Sequence, residues 1–321
     1  MPFDRTNINF GYNEANAKEP KKLQTNDTQK KKERMVEFVP TKPKYKMSSL
    51  IVSGKVRDEL STVIAADKCW QKVFVDWGLS SVMSERRSLF INLYGYPGTG
   101  KTMAAHAIAS ELRKNIICVN YAEIESKYVG ETSKNLTALF KFASETNAVI
   151  FFDEADAFLS KRVTNMNNST DVSVNQTRSV LLTLLNDYSG MVIFATNFIT
   201  NYDAAFMRRI QYHIKFELPD AELRTKLWSL YIPERMPVDL SISELARKYS
   251  NISGSDISTA VLKAALNAAR KGLCRIPQSY FESAIESIIN SKEANSGCKI
   301  ETREVSEEYA LSQIKKSEVS T

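Results

Sequence analysis

The chain is 321 residues long, with 43% hydrophobic and 25% charged residues, four cysteines and a formal net charge of +6. That length and apolar content suit one large domain with a smaller companion, and the longest apolar runs fall well short of the ~20 residues that span a bilayer. The opening Met1-Pro2-Phe3-Asp4-Arg5 leads into polar sequence, without the apolar core of a signal peptide.

The positive charge is concentrated at the start. Residues 1–47 hold eleven Lys/Arg against six Asp/Glu, a net +5, which leaves +1 for the rest. Rich in Asn, Lys and Gln, and including Lys30-Lys31-Lys32, this stretch reads as a disordered basic segment. Its basic run lacks the interleaved aromatics that stack on bases, so a solvated tail is the favoured reading over a nucleic-acid hook. From Ser48 the chain becomes globular. Val56, Leu60, Val63 and Ile64 recur at helical spacing and are followed by Trp70, Val73, Phe74 and Trp77, which predicts one or two helices serving as core beneath a sheet. Cys69 and Cys118 lie in apolar contexts and read as buried thiols. With Cys274 and Cys298 they form no close pair that would suggest zinc, and a reducing cytoplasm is the expected location.

Five apolar runs then alternate with helical segments: Leu89–Tyr94, Ile116–Asn120, Ala148–Phe152, Met191–Thr196 and Ile210–Phe216. Such alternation predicts an α/β domain over residues 48–219, a parallel five-stranded sheet with helices on both faces and ligands at the strand C-terminal ends. Beyond Pro219 the pattern is purely helical, at Glu222–Tyr231, Ile242–Tyr249, Asp256–Lys271 and Tyr280–Ile289. This predicts a small helical lid over residues 220–290, with Ser253-Gly254-Ser255-Asp256 offering an N-cap to its third helix. Residues 291–321 read as a polar tail, within which Val305–Lys315 has the composition of a last helix.

Two motifs carry chemistry. The first apolar run enters Gly95-Tyr96-Pro97-Gly98-Thr99-Gly100-Lys101-Thr102 and then a helix-forming stretch, Met103–Ala109. Strand, glycine-rich turn and helix make a phosphate-binding P-loop: glycines let successive N–H groups point at phosphates, and the helix adds its positive end. Lys101 would reach the β- and γ-phosphates, and the Thr102 hydroxyl would complete a Mg²⁺ shell. The third run, Ala148–Phe152, is apolar throughout and ends in Asp153-Glu154. Lying ~50 residues beyond the loop, this pair matches the Walker B position, which assigns Asp153 to magnesium and Glu154 to the hydrolytic water. The pattern implies binding of a nucleoside triphosphate.

Further motifs narrow the resemblance. Phe194-Ala195-Thr196-Asn197 resembles the sensor 1 strand of AAA ATPases, and Arg208-Arg209 stands where that family places arginine fingers. Ser253-Gly254-Ser255-Asp256-Ile257 is similar to a sensor 2 helix start without its arginine, and Lys127-Tyr128-Val129 resembles the first pore loop. Arg162–Thr170 lies where the second pore loop occurs. The family's usual Pro after the first glycine is Tyr96 here, and its Arg-Pro-Gly-Arg pattern after sensor 1 is missing. The resemblance covers roughly residues 50–290. It implies a P-loop NTPase fold with a helical AAA lid, ATP and Mg²⁺ as ligands, and catalytic roles for Glu154, Asn197, Arg208 and Arg209. It also implies a homo-hexamer threading a client protein past Tyr128. The single-ring format is similar to bacterial relatives of pachytene-checkpoint ATPases, some of which act on HORMA-domain proteins in antiviral systems. The alternative reading is an AAA+ motor acting on nucleic acid through the basic N-terminus.

Overall fold

The computed structural model describes residues 38–83, 87–120, 131–159, 169–197 and 202–297. Lys127, Tyr128 and Val129, most of Arg162–Thr170, the basic run before residue 38 and the tail beyond 297 lie outside the described residues. The chain divides into Met1–Met35 and Val36–Thr321, and everything below concerns the second unit.

Five parallel strands form the sheet: β1 (Leu89–Gly95), β2 (Ile116–Val119), β3 (Val149–Phe152), β4 (Met191–Thr196) and β5 (Tyr212–Phe216), in spatial order β2-β3-β4-β1-β5. Strand β1 is therefore an inner strand, in register with β4 (Asn92 opposite Phe194) and with β5 (Asn92 opposite His213). Both sheet faces are covered, so β3 reads as an unbroken apolar run and β4 as nearly one. Phe90, Phe152 and Phe194 face one layer, and Phe152 stacks on Phe194 with ring centroids 5.3 Å apart. Ile91, Leu93, Phe151 and Ile193 face the other. Each such side chain, fully buried, contributes about 2–3 kcal/mol.

Helix α1 (Gly54–Lys68) begins where the Ser53 hydroxyl accepts the Val56 N–H, and it buries Val56, Leu60, Val63 and Ile64 as their spacing predicts. The continuation differs. After α1 the chain widens into a five-residue π-turn, Lys72–Asp76, and reverses at Gly78 with φ 74°. The changed period turns Trp77 off the buried face, leaving it 70% exposed beneath the Lys72 ammonium. Cys69 and Cys118 are both exposed rather than buried. Cys69 caps the end of α1, and Cys118 lies on β2, the edge strand. Ordered packing also starts ahead of Ser48: Thr41 exchanges two 2.9 Å backbone hydrogen bonds with Ile116.

On the sheet lie α2 (Lys101–Glu111), α3 (Glu131–Thr146), the one-turn α4 (Asp156–Leu159), α5 (Ser169–Asp187) and the one-turn α6 (Ala204–Met207). The lid comprises α7 (Ala221–Tyr231), α8 (Ile242–Lys248), α9 (Gly254–Arg270) and α10 (Gln278–Gly297). Trp228 is its fully buried centre, edge-on to Phe281. Two short strands not foreseen from periodicity, β6 (Val238–Asp239) and β7 (Ile276–Pro277), pair in parallel across it. Two residues per strand are too few for a periodic signal. Arg224 is buried and donates to the carbonyls of Pro219, Ala246 and Ser250, which fixes α7 to the chain leaving β5 and to α8.

Candidate nucleotide site

The strand–turn–helix at β1 and α2 has the geometry its glycines require. Gly95, Gly98 and Gly100 all have positive φ, at 132°, 73° and 101°. A Cβ on Gly95 would sit 2.1 Å from the Phe216 carbonyl oxygen, and one on Gly98 would meet Ser253 Oγ at 2.6 Å. The second contact belongs to the lid. The Ser255 N–H donates to the Gly98 carbonyl at 3.2 Å, so the first turn of α9 rests directly on the phosphate loop. A capping box holds that turn: Ser253 N–H donates to Asp256 Oδ2 at 2.7 Å, and Lys292 from α10 reaches the same oxygen at 2.5 Å.

Lys101 is buried and curls back over its own loop. Its Nζ donates to the Gly95 and Tyr96 carbonyls at 2.8 Å each and to Asn197 Oδ1 at 2.9 Å. Burial lowers its pKa, opposed by the negative charges of Asp153 and Asp156. The next residue, Thr102, donates through its hydroxyl to Asp153 Oδ2 at 3.1 Å. Asp153 accepts the Glu154 N–H at 3.0 Å, and Glu154 adopts φ 50°, a left-handed conformation for a residue with a side chain. The Ala155 N–H is anchored on the Ala195 carbonyl at 2.8 Å. The turn after β3 is thus pinned to β4, and Glu154 is held exposed in a strained conformation of the kind found at functional sites.

The Lys101–Asn197 and Thr102–Asp153 bonds join the P-loop, Walker B and sensor 1 positions into one cluster. Pro97, Gly98, Thr99, Gly100, Glu154 and the lid residues Gly254 and Ser255 border the same cleft of about 590 Å³, ample for a nucleotide. Tyr96, beside the loop, is 56% exposed, so the tyrosine at this position leaves the phosphate turn unobstructed. At its other end the cleft is walled by Ile51, Val52, Leu227 and Tyr231. Sequence reasoning did not single out these four: Leu227 and Tyr231 fall within a helical segment, and Ile51 and Val52 carry no motif. Only their position on either side of the hinge makes them a wall, and no local signal marks it.

Arg208 and Arg209 stand apart from this cleft. Helix α6 starts where the Asp203 carboxylate accepts the Ala205 N–H at 2.8 Å, and Arg208 follows as its C-cap. The Arg209 guanidinium is engaged at home, donating to Asn186 Oδ1 and to the Ala205 carbonyl, both at 2.7 Å. Arg208 is exposed, and its side chain makes no hydrogen bond or ion pair among the described residues. Neither arginine borders the cleft of its own chain.

The glycine cradle, the buried Lys101 and the paired acids on a parallel sheet define a P-loop NTPase site. Residues 91–218 match the AAA family, the ATPase family associated with various cellular activities, and have its P-loop NTPase fold. The chain is 32% identical over 213 residues to proteasome-activating nucleotidase 2 of Haloferax volcanii, covering 64% of this chain and 52% of that protein. It is 34% identical over 205 residues to the proteasome-activating nucleotidase of Archaeoglobus fulgidus, covering 61% and 51% respectively. A third relative, the ATP-dependent zinc metalloprotease FtsH 2 of a Thermoanaerobacter species, is 34% identical over 205 residues, covering 62% and 40%. The chain spans about half the length or less of these curated relatives. Among the described residues no helix is long and apolar enough to cross a membrane.

Proposed function

We propose that the chain is an ATP-hydrolysing protein remodeller that works as a homo-hexamer, each subunit completing its neighbour's nucleotide site. The carrying observation is the division of the site. The phosphate-binding and water-activating residues are bonded together in one cleft, while Arg208 is exposed outside it. Relatives named for activating the proteasome support a protein as the object of the work.

The residues fit ATP and Mg²⁺. Three glycines with positive φ open the loop backbone to phosphates, and a hydroxyl beside a carboxylate is an oxygen donor set suited to a hard cation. Thr102 and Asp153 would hold Mg²⁺, which when bound neutralises charge on the phosphate oxygens. On ATP binding, Lys101 exchanges the Gly95 and Tyr96 carbonyls for phosphate oxygens. Glu154 polarises the attacking water, and Asn197, already bonded to Lys101, orients it. The Arg208 side chain of an adjacent copy stabilises charge on the transferred phosphoryl group. Arg209, bound to Asn186 and Ala205, serves to hold α6.

In this reading Lys127, Tyr128 and Val129 grip an extended client at the ring axis, and the cytoplasm is the setting. A HORMA-domain client in an antiviral system is the narrower form of the proposal and rests on the resemblance of motifs alone. The test is a Glu154→Gln trap expressed in the native host. Hexamers holding ATP and a co-purifying protein client are expected. Trapped rings that retain nucleic acid and no protein would overturn the reading in favour of a nucleic-acid motor.

A further inference from the structure

Several buried polar side chains around the arginine-bearing turn take no part in the chemistry above. Asn92 sits in the middle of β1 with no exposed surface, and neither its amide nitrogen nor its oxygen has a hydrogen-bond partner. Around it the layer is aromatic, with Phe90 on the same strand face and Phe194 opposite in register. An amide stranded in such a layer is costly, and an apolar residue of similar volume would avoid the cost. Two polar neighbours share its surroundings. Across the register on β5 is His213, whose Nδ1 is also buried without a partner. The second is Tyr202, buried and hydrogen-bonded to the Thr196 hydroxyl. Its phenol lies near Asn92, without a hydrogen bond between them.

Chain position gives this cluster its meaning. Thr196 directly precedes Asn197, which holds Lys101. Tyr202 directly precedes Asp203, which caps α6 through Ala205 and whose N–H is tied to the Leu159 carbonyl at 2.9 Å. The Thr196–Tyr202 bond thus links the strand end that touches the phosphate-binding lysine to the helix that ends at Arg208. His213 lies on β5, the strand into which the arginine-bearing turn runs. Asn92 stands between the two.

We propose that Thr196, Tyr202, Asn92 and His213 form a buried polar bracket that sets the direction of Arg208. The residues reading nucleotide in one subunit then position the arginine that this subunit presents to the next. These are positioning residues, since none borders the nucleotide cleft. The inference rests on the proposal that Arg208 acts on a neighbouring subunit's site.

The test uses the full chain. Tyr202→Phe deletes one hydroxyl with almost no change of volume. Turnover should fall on the order of ten- to a hundredfold with KM for ATP within about twofold of the parent, the signature of a displaced group outside the binding cleft. Thr196→Val removes the same bond from the other side and should match it, and the double variant should be no worse than either single one. In mixed rings, Glu154→Gln subunits should rescue Tyr202→Phe, because they supply a well-placed Arg208 to sites with an intact Glu154. Arg208→Ala subunits should fail to rescue it. Near-parental turnover in both single variants, a rise in KM with turnover unchanged, or the absence of Glu154→Gln rescue would overturn the bracket, provided that Arg208→Ala itself is rescued by Glu154→Gln. If Arg208→Ala is not rescued in confirmed mixed rings, the trans-arginine reading fails instead, and the bracket with it.

Discussion

Two segments that follow neighbouring strands treat their cations in opposite ways. After β1, Lys101 is buried and donates to three acceptors of its own chain. Beyond β4, at the end of α6, Arg208 is exposed and makes no side-chain hydrogen bond among the described residues, while the adjacent Arg209 is fully occupied. A lysine held this way is preorganised for a ligand entering its own cleft, and little reorganisation is needed when phosphate replaces two carbonyls. An arginine left unpaired at a surface has no such local task. Under the proposed function, the contrast would mean that this chain builds the binding half of a catalytic site in place and presents a charge-stabilising half outward. Hydrolysis would then depend on assembly, whereas binding would not.

That separation can be broken most sharply at Arg208. Arg208→Ala should lower turnover on the order of 10³-fold while leaving the affinity for a fluorescent ATP analogue within about threefold. A parental rate would show that the exposed arginine has no catalytic task. Glu154→Gln should cost on the order of 10²-fold in phosphate release and keep nucleotide bound. Lys101→Ala, by contrast, should weaken binding itself by roughly tenfold or more, the worth of a charge-assisted hydrogen bond. Equal effects of these two variants on affinity would blur the distinction between binding and water activation.

Arg209→Ala sharpens the comparison from the other side. Its two hydrogen bonds are partly solvated, so their loss should lower stability by about 1 kcal/mol, seen as a fall of a few degrees in Tm, with turnover reduced far less than in Arg208→Ala. A loss of turnover matching Arg208→Ala without a change in Tm would reverse the roles of the pair. The smallest expected effect concerns pH. His106 and His213, the two histidines of the chain, both have pKa values lowered from 6.5, chiefly by burial. Below pH 6.5 the unfolded chain therefore binds protons that the folded chain does not, so their contribution to stability falls as pH drops from 7 toward 5. Replacing His213 with Asn should flatten the slope of urea midpoint against pH over that range. An unchanged slope would mean that His213 titrates normally.

How much of this is readable in sequence depends on whether the information is local. The glycine spacing from Gly95 to Gly100, the apolar strand before Asp153 and the run into Asn197 specify backbone conformation and strand ends within a few residues, and the structure brings their side chains into contact. The wall at Ile51 and Val52, the pairing of Arg209 with Asn186 and the Thr196–Tyr202 bond arise only when distant segments meet. Asn92 was passed over because one polar residue scarcely disturbs an apolar strand pattern, although it is the strongest departure from that pattern in β1. Trp77 departs from its helical spacing for another reason: the π-turn at Lys72–Asp76 changes the period before the chain reaches it.

The central claim, that one subunit's arginine completes its neighbour's site, is tested most directly by mixing two inactive variants, Arg208→Ala and Glu154→Gln, and measuring ATP hydrolysis. Mixed rings should recover a substantial fraction of parental turnover, because Arg208→Ala sites with an intact Glu154 then receive Arg208 from Glu154→Gln neighbours. No recovery in rings shown to contain both variants would contradict the account.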